Sequence, residues 1–500
     1  MQVSTAPNRW NELNKDPDDR SRRTTKTKLT YVNFANGSTP IIDPINDLAK
    51  LKETLQSLKY DSSNKQPMRL FIVEDLSQQV IEALGSRFDI DPLFWREQIE
   101  DYVWHNLRAP GAMPSNLMSD MRHRQWFRVR NLRLRYHESK DDFDASTAEV
   151  HSWNVLRRLD DDNNHWHWAD KQGAIVSMLR TRTTIWIGKD DKTGGGTVGI
   201  VLLDPTVAHG TPLWYDRTNW LPVPKMTSTT VPDIKTSVSW YDDIIQITKL
   251  FPWFETDAGE KRAIDAQVIT KPTLYTICAE WLVVCDYVKG RLSQIERELE
   301  LPTIFRAKGD AIDSSLARLH TWRRAVPVFR EMVTETLNFA LPLASKLTHS
   351  SSPTTPLQPS TFPGFEDIAP DFQRILELLT DLQERVDRLS DVVASEISIE
   401  DSRRGLEDSR RANTEAHNMA RVTWLATIFI PATFVSGLYS MNGSVQELRQ
   451  TYWIYFVTAL PFTLVVMAIG WVIGGGSLTP WRVAKADGGW RKDEKKKKVS

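Results

Sequence analysis

The stretch that decides the fold is MARVTWLATIFIPATFVSGLYSMN, residues 419–442. No charged residue occurs from 422 to 446 or from 450 to 481. A membrane-spanning helix needs ~20 apolar residues to cross a hydrocarbon core of about 30 Å. The sequence therefore predicts a transmembrane hairpin with helices over 422–440 and 452–474. The alternative is a buried hairpin in the core of a large soluble domain.

The charges that flank the two spans predict their orientation, because arginine and lysine are enriched on the cytoplasmic side of a membrane. Arginines precede the first span, and a basic tail over 475–500 follows the second. These cations are Arg403, Arg404, Arg410, Arg411, Arg421, Arg482, Lys485, Arg491, Lys492 and Lys495 to Lys498. The connecting loop over 441–451 carries only Glu447 and Arg449 as charges, so we expect it to be external and both termini to be cytoplasmic.

A long stalk helix over 371–421 is predicted to lead into the first span. Its first half has apolar residues at alternating spacings of four and three, which is typical of a heptad seam or of a packed core helix. These residues are Ile375, Leu379, Leu382, Val386, Leu389 and Val393. Its second half, over 400–418, is rich in charge, so this part is predicted to face water or to run between domains.

The rest of the chain divides into four predicted segments. Residues 1–66 resemble neither a signal peptide nor a good transit peptide and are predicted to be a mostly disordered leader. Short apolar runs alternating with helical patterns predict an α/β cytoplasmic domain over 67–240, followed by long helices over 241–344. The Ser-, Thr- and Pro-rich stretch over 345–370 is predicted to be a disordered loop.

Composition excludes some classes of function. The chain is 41% hydrophobic and 25% charged with a net charge of −1, which argues against nucleic acid as its main ligand. Cys278 and Cys285 lie about 10 Å apart along a predicted helix, which favours free thiols in a reducing compartment over a disulfide.

Other polar clusters carry no recognised chemistry. Asp160, Asp161 and Asp162 with His165 and His167 lack the spacing of a known metal site, so a polar surface turn is the favoured interpretation. No pairing of a nucleophile with a base is evident along the chain. The sequence therefore does not predict an enzyme.

The hairpin resembles the CorA family of magnesium transporters. The family pattern of a T-I-F-x-P-x-T-F helix ending in Y-G-M-N is matched by Thr427, Ile428, Phe429, Pro431, Thr433, Phe434, Gly437, Tyr439, Met441 and Asn442. The resemblance implies a funnel-shaped homopentamer, with an α/β cytoplasmic domain, a stalk helix that continues into the pore helix, and a second helix that faces lipid. It also implies Mg²⁺ as the transported ion and as a possible regulatory ion.

Residues at spacings of three and four along the first span predict the pore wall. They are Met419, Val422, Ala426, Ile430, Thr433, Gly437 and Ser440. The apolar inner half suits a gate that closes by dewetting, although small residues also favour plain helix packing in membranes.

The motif Tyr439, Ser440, Met441, Asn442 is the expected selectivity motif, with Asn442 in a ring at the outer entrance and Glu447 in the external loop attracting cations. Ser440 replaces the glycine of the family, and a serine resists the positive φ that a tight helix exit can require. Asn442 could otherwise be only a turn or cap residue.

On the stalk, Asp381, with Asp387 and Asp391, could contribute to a magnesium-sensing site between subunits, or could simply be solvated. The expected function is a passive channel for hydrated Mg²⁺ that closes when internal ion binds. The alternatives are transport of another divalent ion and a membrane-anchored scaffold or metal sensor that conducts nothing. The plasma membrane is preferred over the mitochondrial inner membrane, because no convincing transit signal is present.

Overall fold

The computed structural model describes most of the chain. The described residues are 17–34, 40–58, 68–99, 116–155, 157–161, 171, 173–190, 192, 196–214, 219–220, 239–250, 266–300, 311–348, 362–440 and 448–473. The chain divides into two compact units, residues 1–394 and 395–500, and each is described by itself.

Helices and strands alternate in the first half of the chain, and among the described residues after β7 the regular elements are helices. The strands are β1 Lys28–Phe34, β2 Ile41–Ile45, β3 Met68–Glu74, β4 Trp126–His137, β5 Leu159–Asp161, β6 Ile175–Lys189 and β7 Thr197–Leu203. The helices are α1 Pro17–Thr24, α2 Leu48–Ser57, α3 Gln78–Phe88, α4 Pro92–Ile99, α5 Met118–Met121, α6 Lys140–Ser152, α7 Trp240–Leu250, α8 Gln267–Glu300, α9 Ala311–Glu335, α10 Leu341–Thr348, α11 Ala369–Ser440 and α12 Leu448–Ile473. A π-helical turn, Thr336–Ala340, joins α9 to α10.

The strands form one mixed sheet in the order β2-β1-β3-β7-β6-β4, and β5 pairs with β6. The pair β3 and β7 is parallel, whereas the other described pairs are antiparallel. All seven residues of β3, MRLFIVE, are buried. A continuous apolar run is typical of a strand that is covered on both faces.

Helices cover both faces of the sheet. Val198 and Ile200 of β7 belong to the core cluster that includes residues of α2, α3 and α4. Gly199, which lies between them, points the other way, because successive strand residues face opposite sides. A Cβ at Gly199 would lie 2.3 Å from Ile269 of α8, so only glycine allows α8 to approach this face of the sheet so closely. The predicted α/β architecture is therefore present.

The prediction of a disordered leader over 1–66 is wrong for residues 28–34 and 41–57, which contain β1, β2 and α2. Leu29, Val32 and Phe34 of β1 are buried, and β1 pairs with β3 along its whole length. Thr30 is also buried, and its hydroxyl lies 2.5 Å from that of Tyr241 on α7. The polar residues of β1 made this strand difficult to predict from the sequence, because their hydrogen-bond partners lie far along the chain. The sheet therefore begins well before the predicted boundary at residue 67.

The apolar seam of the stalk helix is packed inside the first unit. All six predicted seam residues, Ile375, Leu379, Leu382, Val386, Leu389 and Val393, are buried in the single chain. The helix itself runs from Ala369 to Ser440 without interruption. In this half of α11 the structure thus favours a packed core helix over a seam between subunits.

The predicted loop over 345–370 is ordered at both ends. Residues 345–348 end α10, and 349–361 lie outside the described residues. Phe365 and Ile368 are fully buried just before α11 begins. Both are large apolar side chains, and their burial holds the chain in place where its Ser- and Pro-rich composition predicts disorder.

A partly buried ion pair fixes this entry into α11. Lys271 of α8 is 1% exposed, and its Nζ donates to both carboxylate oxygens of Asp367 at 3.1 Å. The Tyr275 hydroxyl donates to the same carboxylate at 2.6 Å. Burial raises the pKa of Asp367, but these two donors outweigh it, so the pKa lies below its ordinary value. The pair therefore anchors α11 to α8.

We expect Asp367→Asn to destabilise the first unit, because the buried ammonium of Lys271 loses the negative charge that it faces. Asp367 is partly exposed, so a loss of about 1–3 kcal/mol in the free energy of unfolding is expected. Thermal unfolding of the full chain in detergent, followed by circular dichroism, would measure it. Glu366→Gln, which changes a neighbouring exposed carboxylate, is the control, and equal effects of the two variants would contradict the prediction.

Candidate functional site

The second unit exposes an apolar surface that a soluble protein would bury. Exposed residues of the end of α11 include Met419, Val422, Leu425, Phe429, Ile430, Phe434 and Leu438, and those of α12 include Trp453, Phe456, Val457, Leu460, Leu464 and Ile469. By length and composition, α11 is long and apolar enough to span a membrane, and only 11% of its apolar 18-residue stretch is buried. The helix α8 is also long and apolar enough, but 78% of its apolar stretch is buried, so α8 is a core helix of the first unit.

One face of the C-terminal part of α11 packs against α12. Pro431 and Val435 are its buried positions, and Ala459 is buried on α12. The rings of Phe434 and Phe462 stack at 6.2 Å. The Tyr455 hydroxyl donates to the carbonyl of Ala432 at 3.2 Å, which ties the two helices together by a polar contact inside an apolar hairpin.

The predicted pore stripe lies on the opposite face of α11. Met419 is 67% exposed and Ile430 is 66% exposed, whereas Val435 is 9% exposed. Val422, Thr433, Gly437 and Ser440 are also exposed, and Ala426 is partly buried. Thr433 directs its hydroxyl to the carbonyls of Phe429 and Ile430 at 2.9 Å, so in the single chain this hydroxyl is satisfied by its own helix.

The predicted selectivity motif straddles the end of α11. Tyr439 is helical, and Ser440 is the last residue of the helix. Among the described non-glycine residues only Asp75 and Asp89 have positive φ, so Ser440 needs no left-handed conformation. The expected strain at this substitution is therefore absent. Met441, Asn442 and Glu447 lie outside the described residues.

Asp381 lies in a groove between α8 and α11. The groove has a volume of about 650 Å³, and its charged lining residues are Asp286, Lys289, Arg374, Asp381, Glu384, Arg385 and Arg388. The side chains of Asp387 and Arg323 approach to 3.8 Å. Within the ranges that the structure describes, no group of three or more His, Cys, Asp or Glu side chains could hold a metal ion. A single chain thus does not assemble Asp381, Asp387 and Asp391 into a metal site.

Of the polar cluster Asp160 to His167, only its first two residues are described. Asp160 pairs with Arg158 at 2.6 Å and with Arg180 at 3.2 Å, but it lies in strand β5 and not in the predicted surface turn. Asp161 lies in β5, while Asp162, His165 and His167 lie outside the described residues. Cys278 and Cys285 are buried free thiols, and burial raises the pKa of each to about 12.

Sequence reasoning missed a cluster of Asp142, a buried His137 and a buried Ser177 in the first unit. His137 Nδ1 lies 3.2 Å from Asp142 Oδ2, and its Nε2 lies 2.8 Å from the Ser177 hydroxyl. Acyl-transfer enzymes use the same order of groups. Ser177 is 1% exposed within β6, so no substrate can reach it. Gly210, with φ of +71°, passes so close that a Cβ would lie 2.8 Å from the imidazole, which closes the cluster further.

This cluster acts as a structural contact. Burial lowers the pKa of His137 against the opposing effect of Asp142, which favours the neutral imidazole. The pairing of β4 with β6 brings His137 beside Ser177, which lies 40 residues away. No local pattern in the sequence signals such a contact.

A second missed feature is a buried carboxylate on α7. Asp243 is 7% exposed, and no partner donates a hydrogen bond to its Oδ1 in the described part of the chain. Burial raises the pKa of Asp243 to about 7, Arg133 opposes this shift, and the Glu280 and Asp242 carboxylates add to it. The pKa in the folded protein is higher than the unfolded value, so the favourable contribution of the neutral acid is complete below about pH 4 and is lost as pH rises through about 7.

We expect Asp243→Asn to abolish the loss of stability that accompanies ionisation of Asp243 as pH rises. Relative to the variant, the parent protein should lose about 2 kcal/mol of stability between pH 5.5 and pH 8.5, because a buried unpaired carboxyl must ionise. Chemical unfolding of the full chain at the two pH values would measure the difference. Asp242→Asn, at the exposed neighbouring position, is the control, and an unchanged pH dependence in the Asp243 variant would refute the assignment.

The family match includes the hairpin. Residues 244–473, a little under half of the chain, match the family described as CorA-like Mg²⁺ transporter protein. No curated protein sequence matches the chain. A structure of the full-length CmaX protein is 11% identical, with a TM-score of 0.32, and the match covers 83% of this chain and 86% of that one.

The soluble domain of CorA from Methanocaldococcus jannaschii is 9% identical, with a TM-score of 0.31, and the match covers 73% of this chain and 96% of that one. The family match falls on the long helices and on the exposed apolar hairpin. Residues 244–473 are thus similar to the CorA-like Mg²⁺ transporter proteins, and this match together with the exposed apolar hairpin indicates an integral membrane protein.

Proposed function

We propose that the chain is one subunit of a divalent-cation channel that passes hydrated Mg²⁺ through a pore lined by the end of α11. The observation that carries this proposal is the exposed stripe on α11. Met419, Ile430 and Gly437 lie on the face that α12 leaves uncovered, while Val435 packs on the other side. A helix with one face on its hairpin partner and the other face free can line a passage shared with further copies.

Several copies must form that passage, because two spans from one chain cannot enclose a pore. Heterologous contacts around a rotation axis close into a ring. The family supports a homo-oligomer, and we propose five subunits arranged as a funnel. The second helix, α12, then faces lipid with its exposed Phe, Leu and Val side chains.

The motif Tyr439 to Asn442 forms the outer entrance in this proposal. Magnesium dehydrates reluctantly, so amide oxygens of Asn442 that accept hydrogen bonds from bound water select the hydrated ion without stripping it. Glu447 raises the local cation concentration through its charge. Because Ser440 ends the helix without a positive φ, the serine is compatible with this entrance.

The inner half of the stripe forms the gate. Met419, Val422, Ala426 and Ile430 narrow the passage with apolar side chains, and such a constriction closes by dewetting. Internal Mg²⁺ acts on the cytoplasmic domains, with Asp381 contributing a ligand from one subunit at a contact with the next. Both termini lie in the cytoplasm, and the plasma membrane is the proposed location.

Mg²⁺ uptake into lipid vesicles containing the purified full chain tests the proposal. A fluorescent indicator inside the vesicles should report uptake that is driven by an inside-negative potential and that grows with its size. Parallel assays with Co²⁺, Ni²⁺ and Ca²⁺ identify the preferred ion. Uptake of another divalent ion in place of Mg²⁺ would assign that ion as the substrate. If none of these ions were taken up, the non-conducting scaffold or metal sensor would be favoured.

A further inference from the structure

The segment of α11 from 399 to 418 is charged but not polar all round. Residues spaced by three and four define one face that carries no charge, and every residue of this face is exposed. We call it the neutral face; it consists of Ile399, Ser402, Gly405, Leu406, Ser409, Ala412, Asn413 and Ala416. Ile399 and Leu406, both 63% exposed, are its large apolar residues.

The two edges of the neutral face carry opposite charges. Arg403, Arg410 and His417 form the basic edge, and Asp401, Asp408 and Glu415 form the acidic edge. Members of each edge are seven residues apart and therefore lie nearly in line along a helix. At about 100° per residue, Arg403 lies roughly 40° outside Ile399, and Asp401 lies roughly 40° outside Gly405 on the other side.

Most of these edge charges have no partner in the single chain. Asp401, Asp408, Glu415 and Arg410 make no ion pair with any residue that the structure describes. Arg403 lies 3.7 Å from Glu407, and both side chains are largely exposed, so this pair holds Arg403 weakly. A helix that only faced water would gain nothing from sorting its charges by sign.

The predicted pore stripe adjoins the neutral face on its acidic side. Ala412, Ala416 and Met419 follow one another at spacings of four and three, and Ala426 lies seven residues further on. Val422 lies seven residues beyond Glu415 and continues the line of the acidic edge, so the stripe follows this side of the helix.

We propose that the neutral face is the contact between neighbouring copies of this chain, with the basic edge of one helix against the acidic edge of the next. In a parallel arrangement these two edges always meet. An antiparallel arrangement would bring basic to basic and acidic to acidic, which is unfavourable. The charge pattern thus selects parallel association, and the small residues on the face allow a close approach. This inference rests on the oligomeric channel proposed above and adds the residues that set its orientation.

Charge reversal tests the contact. The variant Arg403→Glu with Arg410→Glu makes both edges acidic, so we expect assembly of the full chain in detergent to weaken by about tenfold at low salt. The mass of the assembly, measured by light scattering against protein concentration, gives the effect. The matched control is Arg404→Glu with Arg411→Glu, which makes the same change of charge outside the two edges and should leave assembly unchanged.

A compensating variant makes the test specific. Adding Asp401→Arg, Asp408→Arg and Glu415→Arg to the first variant exchanges the two edges, so the parallel contact is complementary again and the assembly should recover. Equal weakening by the first variant and its control, no weakening by either, or no recovery in the compensated variant would overturn the proposal. Assemblies that respond as expected but carry no divalent-ion flux would refute the proposed channel and leave this contact standing.

Discussion

Asn442→Ala should lower the initial rate of Mg²⁺ uptake into vesicles by at least about tenfold. A hydrogen bond to a charged group is worth about 1.5–3 kcal/mol, and each 1.4 kcal/mol corresponds to a factor of about ten. Alanine removes the amide oxygen that accepts from the waters of the hydrated ion, and it does so in every subunit of the ring. Uptake should be measured over a range of external Mg²⁺ concentrations. Loss of a binding site at the entrance should also raise the Mg²⁺ concentration that gives half-maximal uptake.

The control for this variant is Asn418→Ala, which removes an exposed amide of α11 below the predicted pore entrance. It should leave uptake unchanged. The oligomeric mass of both variants must match that of the parent protein. Unchanged uptake in Asn442→Ala within an intact assembly would show that the selectivity motif lies elsewhere.

Ile430→Ser should raise Mg²⁺ leak through the closed channel by about tenfold. An apolar constriction closes by excluding water, and a ring of hydroxyl groups at this level lets water remain in the passage. Ile430 is 66% exposed on the face that α12 does not cover, so the change disturbs little packing within the chain. The measurement is uptake into vesicles that already hold high internal Mg²⁺, the condition under which the parent channel should be closed.

Leu425→Ser is the matched control for the gate. Leu425 is 57% exposed on α11 but lies outside the predicted stripe. A change of the same kind there should leave the leak unchanged. If both variants leaked equally, the lining of the passage would have been assigned to the wrong face of α11.

Patterns confined to one helix were predictable. The charge-free stretches that predict the hairpin, the long helix before it and the exposed stripe depend only on the helical period of about 3.6 residues. In the structure α11 ends at Ser440 and α12 covers Leu448–Ile473. The resemblance to the CorA family rests on the same local stretch. For this reason the region of the candidate site was recognised while the sheet topology was not.

The tertiary structure alone decided the features that join distant parts of the chain. The strand β1 was hidden because its polar Thr30 is satisfied by Tyr241, and the cluster at His137 exists only because of the register of β4 with β6. Burial of Lys271 beside Asp367 and of Asp243 beside α8 likewise depends on helix packing. The sequence by itself determined which segments form the apolar hairpin, since the hydrophobic effect acts on local composition. Long-range packing decided which polar groups become buried partners, because the hydrophobic periodicity of a single helix or strand carries no information about distant segments.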